Sequence, residues 1–146
     1  MKQLARGFTL IELVLAITII GVVGTTLMGA MSAVSARSGD SVMASQAAIV
    51  ANAYLQEVMS QLYLDPNVDG ETLRKDFDDV DDYDGFSEQG ASDKTGVAIA
   101  GLNDYRISVT VNLVNWSGVP AKLIVVTVTD PQGRAISMSS YRTDHR

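Results

Sequence analysis

A single acidic side chain lies inside a long apolar stretch near the amino terminus. Residues 8–36 contain one charged residue, Glu12. An ionised carboxylate costs several kcal/mol inside hydrocarbon unless a cation pairs with it, so the sequence predicts a cationic partner close to Glu12. The alternative is an acid at the level of the lipid headgroups that the dipole of a helix amino terminus stabilises. Glu12 is therefore the first residue whose chemistry needs an explanation.

A second group of side chains that could do chemistry is an acidic run in the middle of the chain. Residues 65–93 hold 11 of the 17 acidic residues. Hard cations such as Ca²⁺ prefer clustered carboxylate oxygens, which makes calcium binding a hypothesis for this run. The spacing does not fit an EF-hand loop, and the alternative is a solvated acidic loop. The weak calcium candidates are Asp78, Asp79, Asp81, Asp82 and Asp84.

The other residue types do not indicate catalysis. His145 is the only histidine and is the penultimate residue, the chain has no cysteine, and no glycine-rich phosphate loop occurs. Acidic residues outnumber basic ones by 17 to 11, which argues against a nucleic-acid partner. We therefore predict a protein that is not an enzyme and that has no cofactor apart from the calcium hypothesis.

The segment around Glu12 has the composition of a membrane helix. Residues 13–36 carry no formal charge over 24 positions, and about 20 helical residues suffice to cross the hydrocarbon core. Residues 1–7, with Lys2 and Arg6 and no apolar run, resemble the basic part of a targeting signal. The sequence predicts a leader at residues 1–7 and a membrane-spanning helix at residues 8–36.

The helical pattern continues beyond the apolar run. Residues 37–64 are predicted as the amphipathic half of the same helix, which ends before Pro66. A helix over residues 8–64 would measure roughly 85 Å, far more than a bilayer, so its second half must pack on a soluble domain. The apolar positions recur at spacings of three and four, at Met43, Ala47, Val50, Tyr54, Val58 and Leu62.

In the last third of the chain, apolar and polar residues alternate as they do in half-buried β-strands. Residues 105–115, 123–130 and 135–143 are predicted strands separated by turn residues, and residues 65–104 are predicted as an acidic connecting region. Residues 105–146 would form an antiparallel sheet of three to four strands that buries one face against the amphipathic half of the helix. The predicted fold class is α+β.

A six-residue motif follows the basic segment. It reads Gly7-Phe8-Thr9-Leu10-Ile11-Glu12. The motif resembles the processing site of type IV prepilins and pseudopilins. This resemblance implies that prepilin peptidase cleaves between Gly7 and Phe8, that Phe8 becomes N-methylated, and that the new amino group pairs with Glu12 of a neighbouring subunit. The mature chain would lose Lys2 and Arg6 and carry a net charge of −8, with 9 basic and 17 acidic residues.

Small residues recur every four positions along the apolar segment, at Gly21, Thr25, Gly29 and Ala33. Such a row lets helices approach closely in a membrane or in a filament bundle, so it predicts helix packing. Glycines also weaken a helix by roughly 1 kcal/mol each, which would allow local unwinding between Gly21 and Gly29. The alternative is plain tolerance of glycine in a membrane helix.

Three pieces of the second half resemble a minor pilin of the mannose-sensitive haemagglutinin (MSHA) pilus, of the biogenesis protein D type. They are residues 77–83, 127–131 and 140–143. The two resemblances imply a structural subunit anchored in the inner membrane by one span, with a periplasmic head, which an inner-membrane assembly machinery moves into an extracellular pilus. The implied partners are other pilin subunits, prepilin peptidase and membrane lipid.

Three alternatives remain open. A type II secretion pseudopilin would share every amino-terminal feature. The head could instead be an adhesion module at a filament tip, with the acidic loop or Trp116 as its contact surface, although Trp116 could equally pack in the core or at a sheet edge. The plainest alternative is a single-span membrane protein with no role in a filament.

Overall fold

The structure, a computed structural model, describes residues 7–66 and 70–144, without the side chains of residues 35–38. It consists of one long helix, two short 3₁₀ helices and four strands, which confirms the predicted α+β class. By contacts the chain divides into two compact units, Met1–Ser41 and Val42–Arg146. The elements are α1 (Leu10–Met59), a first 3₁₀ helix (Arg74–Asp76), a second 3₁₀ helix (Asp81–Tyr83), β1 (Ser87–Gln89), β2 (Arg106–Trp116), β3 (Val119–Thr129) and β4 (Ala135–Thr143).

The four strands form one antiparallel sheet in the order β1-β2-β3-β4. β2 and β3 pair over eleven positions, and their hairpin turns at Ser117 and Gly118, which both have positive φ. A two-residue turn in which both residues have positive φ matches the right-handed twist of the two flanking strands. Pro120 belongs to β3 opposite Asn115, although it lies in the segment 116–122 that the sequence pattern assigns to a turn between the strands predicted at 105–115 and 123–130. Proline has no backbone N–H, but at this position none is needed, because β4 pairs with β3 only from Ala121 onward. No hydrogen bond of the sheet is therefore lost.

The core of the second unit lies between the carboxyl-terminal part of α1 and one face of the sheet. Helix residues at spacings of three and four are buried, and the alternating residues of β2 and β3 complete the same cluster. This arrangement follows from the two periodicities, since a helix stripe and a sheet face each need an apolar partner. The fully buried or nearly buried members include Ala47, Val50, Tyr54, Val58, Ile107, Val109, Ile124, Val126 and Val128.

The helix ends at Met59, five residues before the predicted end at Leu64. Beyond it, Leu62 pairs with the segment around Asp79: the Leu62 N–H donates to the Asp78 carbonyl at 3.1 Å and the Val80 N–H donates to the Leu62 carbonyl at 3.1 Å. These bonds replace the next helical turn. A long-range pairing therefore ends the helix, and it leaves Leu62 about half exposed where the periodicity placed it in the core.

The connecting region contains one element that the sequence pattern did not indicate. β1 has only three residues, Ser87–Gln89, and pairs with the start of β2. Its burial pattern alternates over too few positions to be recognised in a sequence. The strand extends the sheet by one edge and brings Glu88 to the core side of β2.

Candidate functional site

The predicted cleavage point lies just before the helix. Gly7, Phe8 and Thr9 are outside α1 and exposed, so the peptide bond between Gly7 and Phe8 is accessible on the described part of the chain. Lys2 and Arg6 of the predicted leader lie outside the described residues. A protease binds its substrate most readily where the backbone is not already engaged in a helix, and this placement suits the predicted processing.

Thr9 caps the helix that carries Glu12. The Glu12 N–H donates to the Thr9 side-chain oxygen at 3.4 Å, and the Leu13 N–H donates to the Thr9 carbonyl at 3.2 Å. Thr9 thus satisfies one of the amino-terminal N–H groups of α1. Glu12 stands in the first turn with an exposed side chain, so its carboxylate faces outward from an apolar helix at the end where the dipole favours negative charge.

The described residues of the chain do not cover the apolar segment after Glu12. The large apolar side chains from Phe8 to Val34 are exposed to between 46% and 81%. α1 includes a stretch that is long and apolar enough to cross a membrane, and none of that stretch is buried. Burial of this surface must therefore come from lipid or from other chains.

The small-residue row lies in a continuous helix. Gly21 and Gly29 have open space where a side chain would begin, and the Thr25 hydroxyl donates to the Val22 carbonyl at 2.9 Å. Gly21, Thr25, Gly29 and Ala33 are exposed. The structure keeps the segment between Gly21 and Gly29 helical, and helix packing by this row stays a prediction.

The five calcium candidates do not converge on one point. Asp82 accepts the N–H groups of Asp78 and Asp79 at 3.0 and 3.3 Å, Asp79 accepts the Asp81 N–H, and Asp84 accepts the Val111 N–H of β2 at 2.8 Å. Most of these carboxylates therefore hold backbone N–H groups. The acidic run is a folded connector that fastens itself to the sheet.

Asp81 has a different partner. Its carboxylate lies 2.9 Å from the ammonium of Lys122, which is 4% exposed. The same ammonium donates to the carbonyl of Tyr63, and Arg142 donates to the carbonyl of Gln61 at 3.2 Å. Both cations thus bond to carbonyls of the segment that follows the end of α1. This arrangement ties β3 and β4 to the helix end.

Two of the calcium candidates, Asp78 and Asp79, lie close to the carboxylate of Asp65, which was not among the predicted residues. Asp65, Asp78 and Asp79 each offer a carboxylate oxygen, and these oxygens lie within 4.8 Å of one another. Burial, with the charges of Asp82 and Asp81, raises the pKa of Asp79 despite the bond from the Asp81 N–H and the nearby Lys122. Crowded carboxylates of this kind favour a proton or a cation, and calcium binding here stays a prediction.

Arg74, which the sequence did not single out, bonds to four other residues of the second unit, Val42–Arg146, which is called the head below. Its guanidinium, 8% exposed, makes a two-pronged contact with Glu57, at 2.9 Å from Nε and 2.6 Å from Nη2. Its Nη1 reaches Glu88 at 3.0 Å, the Tyr54 hydroxyl at 2.9 Å and the Ser92 carbonyl at 3.1 Å. Arg74 therefore joins α1, β1 and the loop after β1.

The partners of Arg74 are also bonded to one another. The Tyr83 hydroxyl donates to Glu57 at 2.8 Å, and the Tyr54 hydroxyl donates to Glu88. Burial and then the bond to Glu57 raise the pKa of Tyr83 far above its ordinary value. Burial alone would lower the pKa of Arg74, but Glu57 and the neighbouring acids raise it. The network thus holds one guanidinium between two carboxylates inside the fold, which is a structural role.

Trp116 lies at the end of β2 on the outer face of the sheet. It is 53% exposed and stacks on Tyr141 of β4, with ring centroids 5.4 Å apart and planes inclined by 11°. The indole therefore packs on the sheet and remains accessible as well. Trp116 therefore packs on the sheet surface and not in the core, and its use as a contact surface for a partner stays a prediction.

Comparison with known protein families finds one match, described as the prokaryotic N-terminal methylation motif, over residues 2–28. No curated protein and no solved structure matches the chain. The matched segment includes Gly7, Phe8 and Glu12. Pilin-type families are structural rather than enzymatic. The match identifies a methylation signal of the type IV prepilin kind and supports a pilin-like subunit anchored in a membrane by its amino-terminal helix.

Proposed function

We propose that this chain is a minor pilin of a type IV pilus. Prepilin peptidase cleaves it between Gly7 and Phe8, and residues 8–36 hold it in the inner membrane, with its head in the periplasm, until an assembly machinery moves it into a surface filament or uses it to initiate one. The supporting observation is that the methylation motif precedes an exposed apolar helix whose first turn carries Glu12.

Cleavage would create the cation that the carboxylate of Glu12 needs as a partner. Hydrolysis adds water across the peptide bond, which leaves a carboxylate on Gly7 and a free amino group on Phe8. An α-amino group titrates near pH 8, so it is largely cationic at neutral pH, and methylation keeps that charge. The new cation is four residues from Glu12 in the chain, at the same end of the helix.

The pairing of Phe8 with Glu12 of a neighbouring subunit would set the register between helices. In an apolar bundle an unpaired charge costs several kcal/mol, and sliding one helix by a single turn of 5.4 Å would separate the two groups. A buried pair of this kind favours one axial position over all others. The row at Gly21, Thr25, Gly29 and Ala33 would let the same helices approach closely.

The minor role rests on the head. Residues 77–83, 127–131 and 140–143 carry the resemblance to an MSHA minor pilin, and each contributes to the folded head: Phe77, Val80 and Tyr83 are buried, and the other two pieces lie in or beside β3 and β4. The absence of cysteine agrees with a minor subunit, since many major pilins close the end of the head with a disulfide. A type II pseudopilin shares the amino-terminal features, so a deletion strain should lose pili and keep secretion if the proposal holds.

Replacement of Glu12 tests the proposed assembly role. We expect Glu12→Ala and Glu12→Gln to insert in the membrane normally and to lower incorporation into filaments at least about tenfold, which corresponds to 1.4 kcal/mol. Asp40→Asn, which removes an acid of the same helix outside the apolar run, is the matched control and should assemble normally. Incorporation is measured by immunoblot of sheared filaments, and membrane insertion by alkaline extraction. Normal incorporation of Glu12→Gln would count against the proposal.

A further inference from the structure

The sheet has one face against α1 and one face that points away from it. Ile107, Val109 and Val111 of β2 point into the core, so the residues between them point outward, and the register extends this alternation to β3 and β4. We call the outward residues from Ser108 onward the outer sheet face. They are Ser108, Thr110, Asn112, Val114 and Trp116 of β2, Val119, Ala121, Leu123, Val125 and Thr127 of β3, and Ser137, Ser139, Tyr141 and Thr143 of β4.

The outer sheet face differs from the rest of the chain in its charge. None of its residues is charged, whereas the whole chain has a net charge of −6. Arg106 lies one row outside the face and donates to Gln89 at 3.3 Å. Two negatively charged chains repel each other, and this face allows two copies to meet without opposing carboxylates. The centres of protein interfaces are depleted in charge in the same way.

Large apolar side chains lie within this uncharged face. Trp116 and Tyr141 stack on each other across β3 and are 53% and 45% exposed. Val119 is 48% exposed, and Leu123 and Val125 are half-buried. Tryptophan and tyrosine are enriched at protein interfaces, and a partner that covers these five side chains removes apolar area from water.

The direction of α1 within the head decides how a second copy can approach. Gln46 accepts a bond from the Tyr105 hydroxyl at 2.8 Å, just before β2 begins. Tyr63, beyond the end of α1, accepts a bond from Lys122 of β3, which lies opposite the last part of β2. The carboxyl-terminal part of α1 therefore runs in the same direction as β2. A two-fold axis parallel to the strands preserves this direction, so both chains enter their heads from the same end, as two chains anchored in one membrane must.

We propose that the outer sheet face packs on the outer sheet face of a second copy, about a two-fold axis that runs parallel to the strands and passes over β3. The two sheets lie about 10 Å apart, with their strands inclined by about 30°. Leu123 and Val125 of one copy lie opposite the same residues of the other copy. Trp116 on β2 and Tyr141 on β4 flank them on both sides.

The size of the outer sheet face suits a dimer that is held in a membrane. Three strands of up to eleven residues cover about 14 Å by about 37 Å. Two copies therefore bury about 1,000 Å², the lower limit for a specific interface. A common membrane keeps the two heads close together and in one orientation, which raises their effective concentration. The inference rests on the membrane anchor of the proposed function and not on its filament role.

Cross-linking measures whether the two faces meet. The natural chain contains no cysteine, so Val125→Cys and Asn52→Cys each supply a single thiol. Asn52 is exposed on α1, and in the proposed dimer both sheets lie between its two copies. In the full chain in detergent micelles, a bismaleimide that spans about 10 Å should join Val125→Cys at least about ten times faster than Asn52→Cys. Each rate is divided by the rate of labelling with a monofunctional maleimide, which corrects for thiol accessibility.

A charge substitution tests whether the outer sheet face is buried in the dimer. Ser139 is exposed and lies beside Val125, so Ser139→Lys is compatible with a folded head and places an unpaired ammonium in the interface. We expect the dissociation constant, measured by sedimentation equilibrium in the same detergent, to rise at least about tenfold. Asn52→Lys changes the net charge equally and should leave the constant unchanged. Weaker general repulsion would favour the dimer in both variants, so a loss confined to Ser139→Lys identifies burial of this face.

A monomeric natural chain, equal cross-linking of the two cysteine variants, or an unchanged dissociation constant in Ser139→Lys would each overturn the proposal. A monomer would leave the outer sheet face to water or to another pilin subunit. A dimer that survives Ser139→Lys would be held by the amino-terminal helices instead. The amino terminus of the mature chain tests the proposed function separately and does not depend on any of these results.

Discussion

The amino-terminal part of α1 and the head differ in where their side chains find partners. From Phe8 to Val34 the large apolar side chains are exposed, and Glu12 is exposed among them, so this region is completed only by lipid or other chains. In the head, the charged side chain of Arg74 is matched within the same chain by Glu57 and Glu88. The first region therefore indicates what the protein does, and the second indicates how it folds.

The comparison predicts that Arg74 matters for stability and not for processing. Arg74→Ala leaves Glu57 and Glu88 without their cation, so we expect the head to lose about 3 kcal/mol of unfolding free energy, measured by denaturation followed through the fluorescence of Trp116. Lys75→Ala is the matched control, because in the described part of the chain Lys75 forms its ion pair with Asp76 at 3.7 Å and both side chains are exposed. A loss as small as that of the control, expected below about 1 kcal/mol, would show that the network is not essential.

Asp130 gives the next largest effect, at the turn between β3 and β4. It is 4% exposed and accepts the N–H groups of Gln132 and Arg134 at 2.9 Å and the Arg134 side chain at 2.7 Å. Asp130→Ala should cost about 2 kcal/mol at pH 7, measured by the same denaturation. Asp104→Ala, in the exposed loop before β2, should change stability by less than about 0.5 kcal/mol.

The pH dependence of the Asp130 effect has a definite sign. Burial raises the pKa of Asp130, but its bonds from the Arg134 backbone and side chain outweigh this and lower it overall. A lowered pKa in the folded state contributes stability above the unfolded value, near pH 4, and that stability is lost as the pH falls through the folded value. The difference in unfolding free energy between the natural chain and Asp130→Asn should therefore become smaller below about pH 4.

Asp79 should show a smaller effect of the opposite sign. Its pKa is raised by burial, so protonation stabilises the folded state at low pH and this contribution is lost as the pH rises through the folded value. Asp79→Asn keeps an oxygen for the Asp81 N–H and removes the charge. We expect it to stabilise the head by about 1 kcal/mol at pH 7 and to make no difference well below pH 4. A loss of stability at pH 7 would contradict this account.

Calcium binding would also change the unfolding free energy of the head. If Asp65, Asp78 and Asp79 bind the ion, about 1 mM Ca²⁺, a concentration typical for extracellular sites, should stabilise the natural chain and not Asp79→Asn. Isothermal titration of the natural chain provides the direct check. Absence of heat and of any stabilisation at that concentration would remove the calcium hypothesis.

The features predicted from the sequence are those that depend on neighbours in the chain. The exposed apolar helix, the buried stripe through Ala47, Val50 and Tyr54, and the alternation in β2 can be recognised from spacing alone. The Arg74 network cannot, because it joins residues 14 to 34 positions apart whose meeting depends on the finished fold. The pairing of Leu62 with Asp79 is of the same kind, and it is why the helix is shorter than predicted.

The amino terminus of the mature chain tests the central claim most directly. Mass spectrometry of the chain purified from the membranes of its host should find a first residue of Phe8 carrying one methyl group. A host that lacks prepilin peptidase should yield a chain that retains residues 1–7. A chain from the normal host that retains residues 1–7, or one that begins at another residue without a methyl group, would contradict the account.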